Sequence, residues 1–140
     1  MNKDIRIYTP EPLNIVKIVE HFNYLGRDCV IVTVDGSYPC AYVELKDLET
    51  ELKLEELENK LEAHWGVNFC HSLKHLIKSN PQFSKDILEK KYIGWDYGHA
   101  GDYIEHFLLH FDDDTMYSLQ EIEEECKNVI SQLNNMKKEY

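Results

Sequence analysis

The spacing of apolar residues changes period several times along this 140-residue chain, and each period predicts a different element. Ile5 and Ile7 alternate with polar residues, as in a short strand. Thr9-Pro10 is typical of a helix start, and we expect this helix to end at Gly26. The positions that we expect this helix to bury recur every third residue: Leu13, Val16, Val19 and Phe22.

The next segments predict a β-hairpin. Residues 29–34 include a β-branched run typical of a buried strand, and Asp35-Gly36 is a hairpin-type turn. Pro39 opens a partner strand that continues over residues 40–45. The first third of the chain is therefore predicted as strand, helix and hairpin.

The middle of the chain is charge-dense and predicts short elements. Leucines at roughly helical spacing over residues 46–62 indicate a surface helix that is broken near Leu54. The further predicted elements are a strand over 65–70, irregular or short helical pieces over 72–89, a strand over 91–97 and a short helix over 102–111.

The last element is predicted as a long amphipathic helix that opens on the capping-box pattern Ser118-x-x-Glu121. Because neither a repeat nor a linker divides the chain, we expect one α+β domain over residues 1–140. Its antiparallel-leaning sheet of four or five strands packs with about three helices, including the long C-terminal amphipathic helix. The residues that we expect this last helix to bury are Leu119, Ile122, Cys126, Val129, Ile130 and Leu133.

Charge narrows the classes of partner. The chain carries 26 acidic and 15 basic side chains, for a formal net charge of −11 and a pI near 5.0. A protein that binds nucleic acid by neutralising phosphates needs a Lys/Arg surface, so direct nucleic-acid binding is not expected. Three interpretations of the negative charge remain open: it keeps a small cytoplasmic protein soluble, it mimics nucleic acid, or it docks the protein on a cationic partner.

Apolar runs and cysteines predict the compartment. The sequence has no run of about 18 apolar residues and no basic-then-apolar leader, so we expect a soluble cytoplasmic protein that binds no membrane. The four cysteines are scattered without a CxxC pair, which favours reduced thiols over a disulfide framework. Cys70, in an aromatic-rich strand, is interpreted as a buried apolar residue rather than a nucleophile.

The densest group of chemically useful side chains lies in residues 92–102, Tyr-Ile-Gly-Trp-Asp-Tyr-Gly-His-Ala-Gly-Asp. Asp96, His99 and Asp102 are three residues apart and offer carboxylate and imidazole groups. Glycines let the backbone approach a ligand closely, and aromatic rings exclude water from it. The residues that we expect to bind a ligand are Trp65, Gly94, Trp95, Asp96, Tyr97, His99, Gly101 and Asp102.

A second segment, residues 64–70, adds His64 if it lies beside the first in the sheet. His64, Asp96, His99 and Asp102 are then the candidate catalytic residues, either as ligands of a divalent metal ion or as an acid/base pair. Since no established zinc-protease spacing occurs, no cofactor is assigned, although a divalent metal would suit this residue set. A metal-free polar ligand pocket and a structural capping role are the other open interpretations.

Three segments together carry a family resemblance: Tyr-Pro-Cys-Ala-Tyr-Val at 38–43, His-Trp-Gly-Val-Asn-Phe at 64–69, and the run at 92–102. In this order they resemble the Tyr-x-x-Gly-Tyr-Val, His-Gly-Gly-Leu-Thr-Tyr-like and Gly-Phe-Asp-Cys-Ala-His-x-Gly-Asp-like segments of a family of small uncharacterised bacteriophage and prophage proteins. The resemblance spans about residues 38–135. It implies a shared site at His64, Gly66, Asp96, His99, Gly101 and Asp102.

The chain departs from the family pattern at Trp65, Asn68 and Tyr97, where the family has glycine, threonine and cysteine. The last difference removes the thiol that a nucleophilic role at that position would need. The family carries no established activity, so the resemblance implies a phage-type genetic context rather than a particular reaction.

In that context, small acidic accessory proteins bind and disable a host component. The resemblance therefore implies a protein that antagonises a bacterial defence system in the host cytoplasm. One expected mode is occlusion of a nucleic-acid-handling complex by the acidic surface. The other is sequestration of a small nucleotide signal in a pocket near residues 94–102.

Two further classes of function remain open from the sequence. One is a small metal-dependent hydrolase built on His64, Asp96, His99 and Asp102, in which the metal activates water. The other is a non-catalytic phage structural or regulatory protein. An enzyme is the less favoured class, the expected partner is a host defence protein or a small nucleotide, and the sequence is compatible with an oligomer.

Overall fold

The computed structural model of the protein describes residues 16–34, 38–64, 66–75, 85–97 and 118–137. Several predicted features lie outside these ranges: the strand at Ile5 and Ile7, the Asp35-Gly36 turn and the helix over 102–111. Within the described ranges the elements form one α+β unit built on a sheet. None of the described helices combines the length and the continuous apolar surface that a membrane crossing requires.

An antiparallel sheet is the centre of the structure. Its five described strands are β1 (Val16–Tyr24), β2 (Arg27–Val34), β3 (Tyr38–Glu44), β4 (Phe69–Ser72) and β5 (Lys91–Asp96). They lie in the order β1-β2-β3-β5-β4, and every neighbouring pair is antiparallel. The predicted hairpin and the predicted strand over 91–97 are confirmed, with β3 starting one residue before Pro39.

The helix predicted between Pro10 and Gly26 is wrong over its described part, because Val16–Tyr24 is strand β1. The register shifts between Ile18 and Glu20, as in a β-bulge, so the alternation of apolar residues is interrupted there. Ile18 packs on one face of the sheet, whereas Phe22, beyond the bulge, packs on the other. Val19, at this irregularity, is 44% exposed, so its predicted burial is wrong, and the three-residue spacing of Val16, Val19 and Phe22 does not mark one buried face.

The predicted helix end at Gly26 is instead a two-residue hairpin turn between β1 and β2. Leu25 has φ 52° and Gly26 has φ 83°, and Tyr24 pairs with Arg27. Two successive positive φ values are the signature of a type I′ turn, whose twist matches that of the flanking strands. Glycine at the second position tolerates this conformation without steric cost.

Helices α1 (Leu54–Lys60) and α3 (Leu119–Lys137) contribute to the core on one face of the sheet, called here the α1/α3 face. The opposite face is packed by Ile87 and Leu88 of α2 (Lys85–Glu89) and is called the α2 face. Buried residues of the α1/α3 face include Ile31, Val43, Leu57, Ile93, Trp95, Cys126 and Leu133, and those of the α2 face include Val30, Val32, Tyr42 and Tyr92.

The predicted break near Leu54 is confirmed. A 3₁₀ helix spans Asp47–Glu51, and α1 begins at Leu54. The Lys53 backbone N–H donates to Glu56 Oε1 at 3.1 Å, which satisfies an amide at the start of α1. The strand predicted over 65–70 begins only at Phe69, as β4. The short helical pieces predicted over 72–89 are confirmed in the described residues as a 3₁₀ turn over Leu73–His75 and helix α2.

The capping box of α3 is confirmed. The Ser118 backbone N–H donates to Glu121 Oε1 at 2.9 Å, and the Glu121 N–H donates to Ser118 Oγ at 3.2 Å. Leu119 is 37% exposed, so its predicted burial is wrong, because it lies at the start of the helix and off the core stripe. The five other predicted core residues of this helix are buried.

A buried ion pair joins the first hairpin to the helices. Arg27, 2% exposed, makes a two-pronged contact with Glu49, 1% exposed, with Nη2 at 2.9 Å from Oε2. The same guanidinium donates to the Glu44 carbonyl at 3.0 Å and to Asn134 Oδ1 at 3.1 Å. Four elements therefore meet at one charge-assisted network, which no pattern in the sequence indicates.

Candidate functional site

Two aromatic residues of the predicted site, Trp95 and Tyr97, lie on the α1/α3 face. Tyr97 follows β5, where its backbone N–H donates to the Pro39 carbonyl at 3.0 Å. Its hydroxyl accepts a hydrogen bond from Trp95 Nε1 at 3.1 Å, and both side chains are buried. The His64 ring stacks on the Tyr97 ring, with centroids 4.5 Å apart and planes inclined by 15°. The structure therefore brings His64 and Tyr97 together.

Asp96 lies on the opposite face. Strand β5 alternates, so that Ile93 and Trp95 belong to the core of the α1/α3 face and Tyr92 to that of the α2 face. Asp96 lies four residues after Tyr92 in the same strand, so the two side chains are on the same face. Asp96 also pairs with Cys40, another residue of the α2 face. His64 and Asp96 are therefore not brought onto one face of the sheet.

Two neighbours characterise the surroundings of Asp96. Asn68 Nδ2 donates to Asp96 Oδ2 at 2.8 Å. Burial raises the pKa of the Cys40 thiol to about 12, and the nearby Asp96 carboxylate adds to this rise. Cys40 is therefore protonated at neutral pH, and its thiol is not activated as a nucleophile.

Gly94 lies inside β5 rather than in a loop, and its lack of a side chain serves packing. A Cβ atom at this position would lie 2.4 Å from Cδ1 of Tyr42, so the tyrosine ring occupies the space above the glycine. Phe69, paired with Gly94 across β4 and β5, meets the Tyr42 ring edge-on with centroids 5.0 Å apart. The close approach that glycine permits here is to a tyrosine of the same sheet.

The remaining predicted site residues, Trp65, His99, Gly101 and Asp102, lie outside the described residues. Whether His99 and Asp102 lie near His64 or near Asp96 therefore stays a prediction. Among the ranges that the structure describes, no group of three or more His, Cys, Asp or Glu side chains is arranged to hold a metal ion. Gly66 is described and has φ +81°, a conformation that favours glycine.

Burial limits the reactivity of the cysteines. All four cysteines are buried and free. Burial raises the pKa of Cys70, and a buried thiol with a raised pKa reacts poorly. The interpretation of Cys70 as a buried apolar residue agrees with its 8% exposure and its place in the core of the α1/α3 face.

A cleft of about 480 Å³ opens beside the His64–Tyr97 pair. Its other wall is the first half of α3, from the capping residue Ser118 to Asn128. This volume is within the range of ligand pockets in proteins. The residues that line it are His64, Tyr97, Ser118, Gln120, Glu121, Glu124, Glu125 and Asn128.

The acidic residues 121–125 are predicted from the sequence as part of an occlusion surface, but their role as a wall of a cleft is not, although a signal is present in the sequence. Glu121, Glu125, Asn128 and Gln132 are spaced by four, three and four residues, so they form one polar stripe along the helix. Gln132 holds the loop after α1 against this stripe, because its side-chain amide accepts from the Glu62 N–H at 2.7 Å and donates to the Glu62 carbonyl at 2.8 Å. The cleft begins where this pairing ends, toward His64.

The charge of the cleft is negative. Three glutamates line it, and no lysine or arginine is among the described residues of its lining. A helix N-terminus usually attracts anions through its free N–H groups, but the Glu121 N–H of α3 is occupied by Ser118 Oγ. The cleft therefore favours a cationic group over a phosphate.

Comparisons of the chain with protein-family models, with curated proteins and with solved structures find no match.

Proposed function

We propose that this protein is a binding protein that docks, through its acidic α1/α3 face, on a basic surface of a protein partner. The observation that carries the proposal is the placement of charge. Residues 118–126 of the chain contain four glutamates and no lysine or arginine. Their helix contributes to the same core as α1, whose exposed side is also acidic.

The exposed carboxylates of the two helices form the contact region, which we call the acidic helical surface. It consists of Glu55 and Glu58 on α1 and Glu121 and Glu124 on α3, all of them exposed. The double hydrogen bond between Gln132 and the Glu62 backbone ties the end of α1 to α3. The two groups of charges are thus held by one scaffold, which reduces the ordering cost of binding.

The occlusion mode agrees better with the described residues than the sequestration mode. A nucleotide signal brings phosphates, whereas the cleft near Tyr97 is walled by three glutamates. Placing like charges together in a cleft is unfavourable, because water screens them less there than at an open surface. A cationic protein surface instead gains from the net charge of −11 during encounter and binding.

The resemblance to phage proteins supplies the proposed partner class. A bacterial defence complex that handles nucleic acid must carry a cationic surface for phosphates. An acidic protein in the same cytoplasm can occupy that surface and exclude the nucleic acid. We therefore propose occlusion of such a complex as the biological role.

Binding to a nucleic-acid-handling defence complex tests this proposal. The immobilised protein would be exposed to a lysate of a bacterium that carries such systems, and any retained basic protein would be purified and titrated. We expect Glu55→Gln/Glu58→Gln to weaken its binding by about three- to tenfold at low salt. We leave Glu56 unchanged because its side chain caps α1.

The matched control is Asp86→Asn/Glu89→Gln, which removes the same two charges from exposed positions of α2. Because α2 packs on the opposite face of the sheet, this variant should bind like the parent protein. Equal weakening by both variants would show that only net charge matters. An affinity that does not change with salt, or that survives in the presence of competing DNA, would contradict occlusion.

A further inference from the structure

Two of the buried cysteines meet between the sheet and the last helix. We propose that Cys29 and Cys126 form a redox-sensitive pair, which a peroxide oxidises to a disulfide that joins strand β2 to helix α3. Both residues are 0% exposed and belong to the core of the α1/α3 face. This inference goes beyond the proposed function, because it concerns how α3 is held on the sheet rather than which partner α3 contacts.

The two thiols are in hydrogen-bond contact. The Cys126 thiol donates to the Cys29 sulfur, and the Cys29 thiol donates in turn to the Arg27 carbonyl oxygen at 4.0 Å. A disulfide requires two side chains that point toward each other, because cysteines whose Cβ vectors diverge cannot be bridged without backbone movement. A direct contact between the two sulfur atoms meets this condition.

The other two cysteines are placed differently and therefore serve as controls. Cys40 belongs to the core of the α2 face, so the sheet separates it from the pair. Cys70 lies on the α1/α3 face, where its thiol donates to the Leu52 carbonyl oxygen at 4.0 Å. The Cys29–Cys126 pair differs from both in connecting the sheet to α3.

Burial decides the order and the rate of the reaction. The hydrogen bond with Cys29, together with burial, raises the pKa of Cys126 well above its ordinary range, so this thiol is a poor first target for an oxidant. Cys29 is therefore the sulfur that peroxide oxidises first. Because both residues are 0% exposed, the reaction waits for a local opening of α3 and is slow.

One molecule of hydrogen peroxide balances the reaction. The Cys29 sulfur attacks a peroxide oxygen, the O–O bond breaks, and the hydroxide that leaves takes the thiol proton to form water and a sulfenic acid. The Cys126 sulfur then attacks the Cys29 sulfur, and the S–S bond forms as the hydroxyl group leaves with the second thiol proton as water. The two thiols lose two electrons, which reduce the peroxide to two water molecules.

The disulfide would stabilise the attachment of α3. A bond between residues 29 and 126 closes most of the chain into one loop, and a cross-link over a long loop strongly restricts the unfolded chain. We therefore expect oxidation to raise Tm by about 5 °C or more. The exposed Glu121 and Glu124 lie on the helix that the bond would hold.

The test exposes the full-length protein to hydrogen peroxide under native conditions, removes the peroxide, and then unfolds and alkylates the protein. We expect alkylation of two of the four cysteines, a peptide map that joins Cys29 to Cys126, and recovery of all four thiols after reduction with dithiothreitol. Cys29→Ala should form no internal disulfide, whereas the matched control Cys70→Ala should form it as the parent does. Circular dichroism would verify that both variants are folded.

The peptide map of the parent protein decides the assignment even if a variant does not fold. A disulfide that involves Cys40 or Cys70, or sulfinic acids without a disulfide, would overturn the pair. Four alkylated cysteines after prolonged exposure to peroxide would overturn it as well. A Cys29–Cys126 disulfide that lowers Tm would contradict its role in holding α3 on the sheet.

Discussion

Substituting Gly94 by alanine tests the packing of the central sheet beside the candidate site. The added Cβ would lie 2.4 Å from Cδ1 and 2.7 Å from Cε1 of Tyr42, and 2.9 Å from the Ala41 carbonyl oxygen. Carbon atoms in contact normally lie about 3.5–4.0 Å apart, so the ring must move by about 1 Å or more. Tyr42 is 4% exposed and packs against Phe69, so it has little room to move.

The expected cost of Gly94→Ala follows from this overlap. Overpacking of a core costs about 1–3 kcal/mol, and restricting the unfolded chain by alanine returns about 0.4–1 kcal/mol. We therefore expect the free energy of unfolding to fall by about 1–2 kcal/mol. Urea denaturation followed by the fluorescence of the buried Trp95 measures this, as a lower midpoint at an unchanged slope.

Gly66→Ala is the matched control, because its cost has a different origin. The nearest atom to an added Cβ at position 66 is Glu58 Oε2 at 3.9 Å, so space is sufficient and only φ +81° opposes the change. In a Tyr42→Leu background, Gly94→Ala should cost at least about 1 kcal/mol less than in the parent, whereas the cost of Gly66→Ala should not change. An unchanged cost of Gly94→Ala in that background would refute the assigned packing.

Four other predictions follow from the described contacts. Glu49→Ala leaves Arg27 buried without its counter-charge, so it should lower the free energy of unfolding by roughly 3–5 kcal/mol. Urea titration measures this loss, and little change would show that the ion pair is dispensable. Burial alone would raise the pKa of Asp28, but its hydrogen bonds, the strongest from Lys90, together outweigh burial and lower the pKa below its ordinary 3.8. Its stabilisation is therefore complete above that pH and lost as the pH falls through the lowered value, so Asp28→Asn should flatten the acid limb of the Tm profile. A hydrogen bond with Glu20 raises the pKa of Glu123 above its ordinary 4.5, so stability should rise as the pH falls through the raised value, and Glu123→Gln should raise Tm at pH 7. All four cysteines should resist a thiol reagent in the native protein and react together on unfolding, whereas one fast native thiol would contradict their burial.

The candidate site illustrates what side-chain spacing can and cannot predict. His64 and Tyr97 were both selected from sequence, and the fold stacks them at 4.5 Å. Asp96 follows Trp95 in the same strand and therefore points to the other face, since side chains alternate. Because Trp95 and Asp96 are consecutive residues of one strand, their side chains lie on opposite faces of the sheet.

The glutamates of α3 show the opposite case. Their spacing was visible as a polar stripe, but a polar stripe on a helix usually faces water. The fold makes it one wall of a cleft, because the Gln132–Glu62 contact brings the His64 loop against it. His64, which is distant from α3 in sequence, supplies part of the other wall.

Local physics was sufficient for much of the fold. The β-branched run of β2, the broken helix near Leu54 and the Ser118–Glu121 capping box were predictable because each depends on residues within one or two turns. The α+β class followed from the sum of these elements. The acidic character of the protein likewise follows from composition alone.

Long-range pairing decided the rest. Val16–Tyr24 carries apolar residues at a spacing that suits a helix, yet its antiparallel pairing with β2 makes it a strand. The Arg27–Glu49 ion pair, the cover of Tyr42 over Gly94 and the acidic cleft also join segments distant in sequence. The sequence by itself determined local elements and net charge, whereas the tertiary structure decided which faces meet, because burial and cross-strand hydrogen bonds outweigh the weak local preference of a short segment.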